Sequence, residues 1–299
     1  MTRSSRGRAV LAANAGLIAL LATAGAVTPA QAGSARTDSG KAASEASTRV
    51  VPNRIMSWNS NGQKLGTPED LARHIKRFKP RVVVLQESCR TEVRKAVRLL
   101  KADGMEYAFR HGPGANNPGC EGVSPVGNSV LYAKGTPFQG YRHKEYRHDE
   151  WGEKRSYQTF TTRLAGQRVQ VFNTHLSNGG SQSGLRVEQI KELLGAARGH
   201  GRVVIGGDLN AQPSFKEMRP IWDAPFQDVD PFCRWNGGNP DLKCNPTLVN
   251  EHVKLKFDYI LHRGINSRNC MLGPVNGDHR VLISDVTTAA GPRVPCSEG

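Results

Sequence analysis

Short apolar runs alternate with segments of helical spacing along most of the chain. The apolar runs predict strands, and these lie at 54–59, 81–85, 128–132, 203–205, 256–262 and 280–286. A hairpin is predicted from 156–163 and 168–173, because Ala165-Gly166 between them can form a turn. Apolar residues at helical spacing predict helices at 68–78, 91–101 and 185–198. Strands interleaved with helices indicate an α/β fold.

Local signals mark the ends of these elements. Thr67-Pro68 is typical of a helix start, because threonine caps the first turn and proline suits the first helical position. Pro80 is expected to end that helix. Segments rich in glycine, proline and polar residues predict a long loop at 111–127, a flexible loop at 177–184 and an irregular stretch at 213–250.

The N-terminal 32 residues have the pattern of a secretory signal peptide. Three arginines precede an Ala/Leu-rich run from Ala9 to Val27, and Ala30-Gln31-Ala32 has the spacing of a cleavage site. A retained membrane anchor is the alternative, because the run is near the length that spans a bilayer. Residues 33–48 contain no large apolar side chain, which predicts a disordered lead-in. We therefore expect one globular domain at 49–299.

The chain is strongly basic. Its formal net charge is +15, and removal of the three arginines of the signal peptide leaves +12. Such an excess favours a polyanionic partner, either a nucleic acid or an anionic surface. The alternative is that the charge only keeps the protein soluble.

Six cysteines, all after the signal peptide, are typical of an exported protein with disulfides. Six cysteines allow fifteen pairings. Proximity in sequence suggests Cys233–Cys244 and Cys270–Cys296, which leaves Cys89–Cys120. None has the C-x-x-C spacing of a structural zinc site.

Several predicted strands are followed by polar residues, of which the stretch Gly206-Gly207-Asp208-Leu209-Asn210 is the most informative. It follows the apolar run 203–205, and its glycines allow a sharp turn. Asp208 and Asn210 project to the same side of an extended backbone, where they could hold a water and a phosphate oxygen. The alternative is an Asx turn that only bonds its own backbone. Ligand sites of open α/β sheets lie at the carboxyl ends of strands.

Six short motifs extend this pattern over the chain. In order they are Trp58-Asn59, Leu85-Gln86-Glu87, Asn173-Thr174-His175-Leu176, the stretch 206–210, Phe257-Asp258-Tyr259-Ile260 and Gly277-Asp278-His279. Together they resemble the endonuclease/exonuclease/phosphatase superfamily of deoxyribonuclease I-like folds. The resemblance implies a four-layer α-β-β-α sandwich and metal-assisted hydrolysis of phosphoesters.

The resemblance also implies a metal site. Glu87 would be the principal carboxylate ligand, with Asn59 and Asp278 nearby. A small set of oxygen ligands suits Mg²⁺, which keeps several waters and takes phosphate as a ligand. Mn²⁺ is a possible substitute for it, and Ca²⁺ a possible structural ion.

Catalytic roles follow from the same motifs. Asp258 would orient His279, which would activate the attacking water. Asp208 would position that water, Asn210 would hold a phosphate oxygen, and His175 would contact the phosphate or assist the leaving group.

Substrate contacts are expected from Asn128 and Arg155, in addition to Asn210. The chain departs from the family pattern at Gly277 and Val281, which supply no reacting group. It also lacks, near Asn128, the carboxylate that pairs with the first histidine in deoxyribonuclease I-like enzymes. The partner of His175 therefore stays open.

The substrate class rests on one further segment. From Tyr141 to His148, and on through Trp151 to Tyr157, basic residues alternate with aromatic ones, which predicts phosphate contacts and stacking surfaces for a nucleic acid. The alternative is a charged hairpin without a binding role. We expect a secreted, monomeric nuclease with no stable membrane association, with DNA favoured over RNA. A sphingomyelinase-like phosphoesterase and a non-catalytic polyanion-binding module are the competing hypotheses.

Overall fold

The computed structural model describes residues 48–62, 66–114, 120, 126–149, 154–234, 244–292 and 294–299. The predicted signal peptide lies outside the described residues, as do nearly all of the predicted lead-in and Trp151. Within the described residues, no helix is both long enough and apolar enough to cross a membrane.

Nine strands of the described residues form the first sheet. They are β1 (Val51–Asn59), β2 (Pro80–Cys89), β3 (Tyr107–Pro113), β4 (Val126–Ala133), β10 (Leu248–Val249), β11 (Lys254–Leu255), β13 (Asn266–Asn276), β14 (His279–Thr287) and β15 (Ser297–Glu298). The main order is β11-β10-β14-β1-β2-β4-β3, and β13 pairs with β14 and β15. β1 is parallel to β2 and antiparallel to β14.

In the part of the chain that the structure describes, six strands form the second sheet. They are β5 (Gln139–Glu145), β6 (Ser156–Leu164), β7 (Gln167–His175), β8 (Val203–Asp208), β9 (Gln227–Asp228) and β12 (Asp258–Arg263). The order is β5-β6-β7-β8-β12-β9, with β7 parallel to β8 and β12 antiparallel to β8.

The helices are α1 (Pro68–Phe78), α2 (Arg90–Ala102), α3 (Ser183–Ala197) and the short α4 (Arg219–Asp223), with 3₁₀ turns at Gly180–Gln182 and Lys216–Met218. Thr67 caps α1 as predicted, since its side chain accepts from the backbone of Asp70 while the Asp70 carboxylate accepts from the backbone of Thr67. Proline occupies the first turn of this helix, where its missing N–H costs nothing.

Three apolar clusters define four layers. Ile55, Val84 and Phe160 belong to the cluster between the two sheets. A second cluster packs α1 and α2 on the outer face of the first sheet, and a third packs α3 on the outer face of the second. Alternate residues of a strand point to opposite faces, so each sheet can bury both. The predicted α-β-β-α sandwich is confirmed.

The loop prediction at 111–127 is wrong in part. β3 continues to Pro113 and β4 begins at Val126. β3 is an edge strand with several exposed positions, so it lacks the continuous apolar run that predicts a buried strand. β13 was missed because it too has several exposed positions and no continuous apolar run. The stretch 213–250, predicted to be irregular, contains α4, β9 and β10.

All three predicted disulfides are present. Cys89–Cys120, Cys233–Cys244 and Cys270–Cys296 are formed, and the described residues include no free cysteine. The first of these lies directly after the polar end of β2, and it ties residue 120 to that strand.

The expected stacking surface at 141–157 is not formed by its tyrosines. Tyr146 is buried and its hydroxyl contacts Thr174 Oγ1 at 2.7 Å, while Tyr157 is buried in the same cluster. Tyr141 is half-buried, stacks on Phe138 and accepts a hydrogen bond from Gln158. Tyr146 and Tyr157 are therefore core residues: Tyr157 points inward from β6, since a strand turns alternate side chains to opposite faces, and Tyr146 directly follows β5.

Candidate active site

The polar strand ends meet at one edge of the sandwich. β7 and β8 run in parallel and end together, with His175 opposite Asp208. β12 begins at the same edge, with Asp258 opposite Asp208. In the other sheet, β1 and β2 end where β14 begins. Asn59 Nδ2 donates across the two sheets to Asp208 Oδ2 at 2.9 Å. The sheets therefore contribute to one site.

Two glycines allow this close approach. A Cβ at Gly206 would lie 2.5 Å from Val84 Cγ2 of the facing sheet, and a Cβ at Gly207 would lie 2.1 Å from the carbonyl oxygen of Thr174. No side chain larger than hydrogen fits at either position without displacing the neighbouring strand. The two glycines lie within β8, which continues to Asp208, so they serve close packing and not the sharp turn expected from the sequence.

Asp258 and His279 form a buried pair. The Asp258 carboxylate accepts from His279 Nδ1 at 2.7 Å, which leaves Nε2 facing the site. Burial works to lower the pKa of His279, but the charge and hydrogen bond of Asp258 and the charges of Asp208 and Asp278 raise it to about 10. The imidazole of the metal-free protein therefore carries its proton at neutral pH.

Thr247 holds this pair in place, and its role was missed by the sequence analysis. Its hydroxyl oxygen accepts from the backbone N–H groups of Phe257 and Asp258 at 3.1 and 2.9 Å. Its carbonyl accepts from Arg280 N at 2.7 Å. Thr247 thereby joins the starts of β12 and β14. Its surrounding sequence gave no signal, since it lies in the stretch that was predicted to be irregular.

Asp208 lies at the centre of the site. Its Oδ2 is 3.9 Å from His279 Nε2 and 3.6 Å from His175 Nε2. Burial, together with the negative charge of Asp258, raises the pKa of Asp208 to about 7, although His279, Asn59 and the backbone of Asn210 favour its charged form. This carboxylate therefore titrates near neutral pH.

Both interpretations of the stretch 206–210 describe part of it. Asp208 Oδ1 accepts from Asn210 N at 2.8 Å, which is the Asx turn. Asn210 has a φ of 49°, in the left-handed region that asparagine tolerates better than most residues. This conformation aims Asn210 Nδ2 at His175 Nε2, 3.0 Å away, and at the carbonyl of Leu176. The turn thus positions the amide within the site.

The partner of His175 is Arg155. One guanidinium nitrogen of Arg155 lies 2.8 Å from Nδ1 and 2.9 Å from Nε2 of the imidazole. Burial lowers the pKa of His175 well below its usual range, and the charges of Arg155 and His279 lower it further. A signal for this contact existed, because a two-residue turn at Ala165-Gly166 sets His175 opposite Ser156, one residue from Arg155.

The side chain of Glu87 is partly exposed, at 32%. Its Oε1 accepts from Asn59 Nδ2 at 3.1 Å and lies 3.8 Å from His175 Nε2. It has a φ of 49°, where the pairing of β2 with β4 shifts register. A left-handed conformation in a residue other than glycine costs energy and is common at functional sites. The irregularity re-aims this carboxylate at the end of its strand.

Asp278 and Asn128 lie at the border of this group. Asp278 is partly exposed and its Oδ1 accepts from Asn61 Nδ2 at 3.3 Å. Asn128 is buried and donates to the carbonyl of Ser156 at 3.1 Å. Ser156 is the residue opposite His175 in the pairing of β6 with β7. The structure thus brings every predicted site residue to this edge, with Asn128 one strand away from the central cluster.

A buried amide network supports the site from below. Gln86 Nε2 donates to Asn173 Oδ1 at 2.7 Å, and Asn173 Nδ2 donates to Gln158 Oε1 at 2.9 Å. Asn173 Nδ2 also donates to the carbonyls of Leu85 and Ser129 in the first sheet. Buried polar groups need such partners. The network therefore fixes the spacing of the two sheets directly under Glu87 and His175.

The chain matches a family model described as the endonuclease/exonuclease/phosphatase family over residues 56–285. Comparison with curated proteins finds no significant match.

Among solved structures, D. rerio TDP2 complexed with a single-strand DNA product is 20% identical, with a TM-score of 0.61 over 79% of this chain and 98% of that chain. TDP2 from C. elegans is 17% identical, with a TM-score of 0.58 over 85% of this chain and 82% of that chain. The endonuclease/exonuclease/phosphatase from Beutenbergia cavernae is 22% identical, with a TM-score of 0.59 over 81% and 72%. These likenesses concern the fold. On the family match, the chain belongs to the endonuclease/exonuclease/phosphatase family.

Proposed function

We propose that the protein is an exported, divalent-metal-dependent nuclease that hydrolyses phosphodiester bonds, with DNA favoured over RNA. Members of its superfamily are phosphodiesterases and nucleases, which supports a hydrolase. The observation that carries the proposal is the position of Asp208, which lies 3.9 Å from His279 Nε2 and accepts a hydrogen bond from Asn59. Since Asn59 also donates to Glu87, Asp208 links the buried Asp258–His279 pair to the partly exposed carboxylate of Glu87. This arrangement combines proton transfer with charge neutralisation, and phosphodiester hydrolysis needs both.

The donor chemistry of the site fits a hard divalent cation. Glu87 and Asp278 offer accessible carboxylate oxygens, which Mg²⁺ prefers together with water. Asn59 turns its amide Nδ2 toward Glu87 and orients that carboxylate. A bound cation would neutralise charge on the phosphate. Mn²⁺ is expected to substitute for Mg²⁺, and a structural Ca²⁺ remains a separate prediction.

Asp208, His279 and Asp258 also place their ligand atoms within 4.8 Å of one another. All three are buried, and His279 donates a hydrogen bond to Asp258, so proton transfer is better supported than metal binding as the role of this group. We assign activation of water to the Asp208–His279 pair. Asp208, with a pKa of about 7, can accept a proton at neutral pH, while His279 in its charged form stabilises negative charge on phosphate. The alternative, that neutral His279 is the base, requires its pKa to fall in the metal complex.

The other residues of the site suit phosphate recognition. His175 is neutral at working pH because its pKa is lowered, so it can act as a hydrogen-bond donor or acceptor, not as a charge. Arg155 supplies a positive charge beside it, and Asn210 supplies an amide donor. Together they form a donor group next to the proposed water position, which is where a phosphate oxygen needs stabilisation.

Two observations favour DNA over a phospholipid. The net charge of +12 that remains after the predicted signal peptide is removed suits a polyphosphate backbone, and one structural neighbour is complexed with single-strand DNA. In the described residues, the large apolar side chains that are exposed come from five separate segments: Leu99, Phe232, Val253, Val275 and Val294. Entry into a lipid interface needs such residues together on one apolar face.

A substrate panel tests the proposal. Purified residues 33–299 are incubated with duplex DNA, single-stranded DNA, RNA, sphingomyelin and inositol phosphates, each with Mg²⁺ and with chelator. We expect cleavage of DNA that the chelator stops. Turnover of sphingomyelin with no cleavage of any nucleic acid at low salt would establish the sphingomyelinase alternative. Binding of DNA without hydrolysis of any substrate would establish the non-catalytic module.

Export is supported by the three disulfides, which persist in oxidising compartments. N-terminal sequencing of the protein recovered from culture medium is expected to give Gly33 as the first residue. Recovery of the intact chain from the membrane fraction would instead support a retained anchor. A monomer is expected by light scattering.

A further inference from the structure

Helix α2 presents a row of cations on the outer surface of the sandwich. Arg94, Arg98 and Lys101 are exposed, whereas Val93, Ala96 and Leu100 are buried against the first sheet. Residues three and four apart share one helix face, so the three cations point to the same side. We call these three residues the basic stripe.

The charges of the basic stripe are not neutralised within the described part of the chain. No carboxylate there forms an ion pair with any of the three, and the nearby Asp103 pairs instead with Lys76 of α1 at 2.7 Å. Glu92, the only acid of α2, sits beside Gly62, since a Cβ at Gly62 would lie 2.7 Å from its Oε2. Three fixed positive charges at a helix surface repel one another, so the arrangement favours an anionic partner.

The position of the stripe relates it to the active site. Glu87 and α2 are consecutive in the chain, and the helix begins three residues after that carboxylate. Arg94 and Arg98 are separated by about 6 Å along the helix axis, and Lys101 lies about 4.5 Å further on. A DNA strand carries one negative charge about every 3.4 Å of its axis. A row of cations at this spacing can follow a phosphate backbone that leaves the site.

We propose that the basic stripe binds the phosphate backbone of a nucleic-acid substrate outside the scissile position. This rests on the proposed nuclease function for its substrate class. It takes the place of the stacking surface expected at 141–157, because Tyr146 and Tyr157 of that segment are core residues. The stripe supplies affinity and salt dependence without base preference, since phosphate contacts carry no sequence information.

The test measures binding without turnover. Fluorescence anisotropy of a labelled 30-bp duplex is recorded in chelator, at 50 to 200 mM salt, for wild type and for Arg94→Gln/Arg98→Gln/Lys101→Gln. Loss of three phosphate contacts lowers the slope of log affinity against log salt by about 2.7. Over this fourfold change in salt, wild-type affinity should therefore fall about 40-fold more than that of the variant.

The matched control is Arg163→Gln/Arg168→Gln/Arg202→Gln. These arginines are exposed, carry the same total charge, and lie at the opposite ends of β6, β7 and β8 from the active site. The control should keep the wild-type slope. An equal loss in both variants would show an effect of net charge alone and would overturn the assignment, as would wild-type binding by the stripe variant. Thermal unfolding verifies that both variants are folded.

Two further measurements separate this inference from the proposed function. Hydrolysis of bis(p-nitrophenyl) phosphate, which is too small to reach the stripe, should proceed at the wild-type rate in the stripe variant. If wild type binds DNA through the stripe but hydrolyses no phosphodiester, the proposed function fails and the binding surface stands. Loss of binding to anionic vesicles, with unchanged binding to DNA, would assign the stripe to a lipid surface and overturn the proposal.

Discussion

Replacement of Asp258 by asparagine tests the buried pair most sharply. Asp258 accepts from His279 Nδ1 at 2.7 Å, and its backbone N–H donates to Thr247, so the strand position is held independently of the carboxylate. The substitution removes one negative charge and one charge-assisted hydrogen bond while keeping the side-chain volume. An adjacent opposite charge shifts a pKa by about 2. We therefore expect the pKa of His279 to fall from about 10 by about that much.

The expected energy follows from this shift. A change of 2 in pKa corresponds to about 3 kcal/mol between the two protonation states. A histidine whose folded-state pKa is raised adds stability that is fully present below its unfolded pKa of 6.5 and is lost as the pH rises through about 10. The stability deficit of the variant should thus be largest below about pH 8, the pKa expected for His279 in the variant, and should disappear above about pH 10. Loss of the carboxylate that orients the His279 ring and stabilises its charged form should lower the rate of hydrolysis by about 10² to 10⁴.

The assay combines three measurements. NMR titration of His279 in the chelated protein gives its pKa, denaturant unfolding at several pH values gives the stability difference, and a chromogenic phosphodiester gives the rate. Asp285→Asn is the control. Asp285 is a buried acid on β14, the strand of His279, and it pairs with Arg54 away from the site. An unchanged His279 pKa, or a rate within threefold of wild type in Asp258→Asn, would refute the role assigned to the pair.

Further predictions concern single residues of the site. Glu87→Gln should raise the Mg²⁺ concentration for half-maximal activity by at least about tenfold. The melting temperature should change little, because this side chain is partly exposed. An unchanged Mg²⁺ requirement would remove Glu87 from the metal site. Arg155→Gln should raise the pKa of His175, measured by NMR. The pKa should still lie below 6.5, because burial lowers it more than Arg155 does. An unchanged pKa would show that the guanidinium does not act on His175. Gly207→Ala should destabilise the fold by about 1–3 kcal/mol, because the added Cβ would lie 2.1 Å from the Thr174 carbonyl oxygen. Calorimetry should show a lower melting temperature. A wild-type melting temperature would show that β7 and β8 can move apart at this position.

Much of the site could be predicted from the sequence because its residues are tied to strand ends. A run such as 203–205 predicts a strand by its apolar side chains, and the polar residues that follow must then lie at a sheet edge. The turn at Ala165-Gly166 has the positive φ angles of a tight hairpin, and it fixes the register that brings His175 next to Arg155. These features are local, so they can be recognised without knowledge of the fold.

Contacts between the two sheets could not be predicted in the same way. The bond from Asn59 to Asp208 spans 149 positions, and the clamp made by Thr247 depends on where an irregular stretch returns to the sheet. Strands such as β13 alternate exposed and buried positions irregularly, so their pattern resembles a loop. Tyr146 shows the opposite error, because an aromatic residue among basic ones was taken for a surface contact although it is buried directly after β5, with its hydroxyl against Thr174.

The most direct test of the central claim is single-turnover cleavage of duplex DNA by wild type and by His279→Ala, with Mg²⁺ and with chelator. The account predicts cleavage by wild type with Mg²⁺, loss of at least about 10²-fold in rate in the variant, and no cleavage by either protein in chelator. Thermal unfolding should show that the variant remains folded. Cleavage by His279→Ala at the wild-type rate, or cleavage by wild type that persists in chelator, would contradict it.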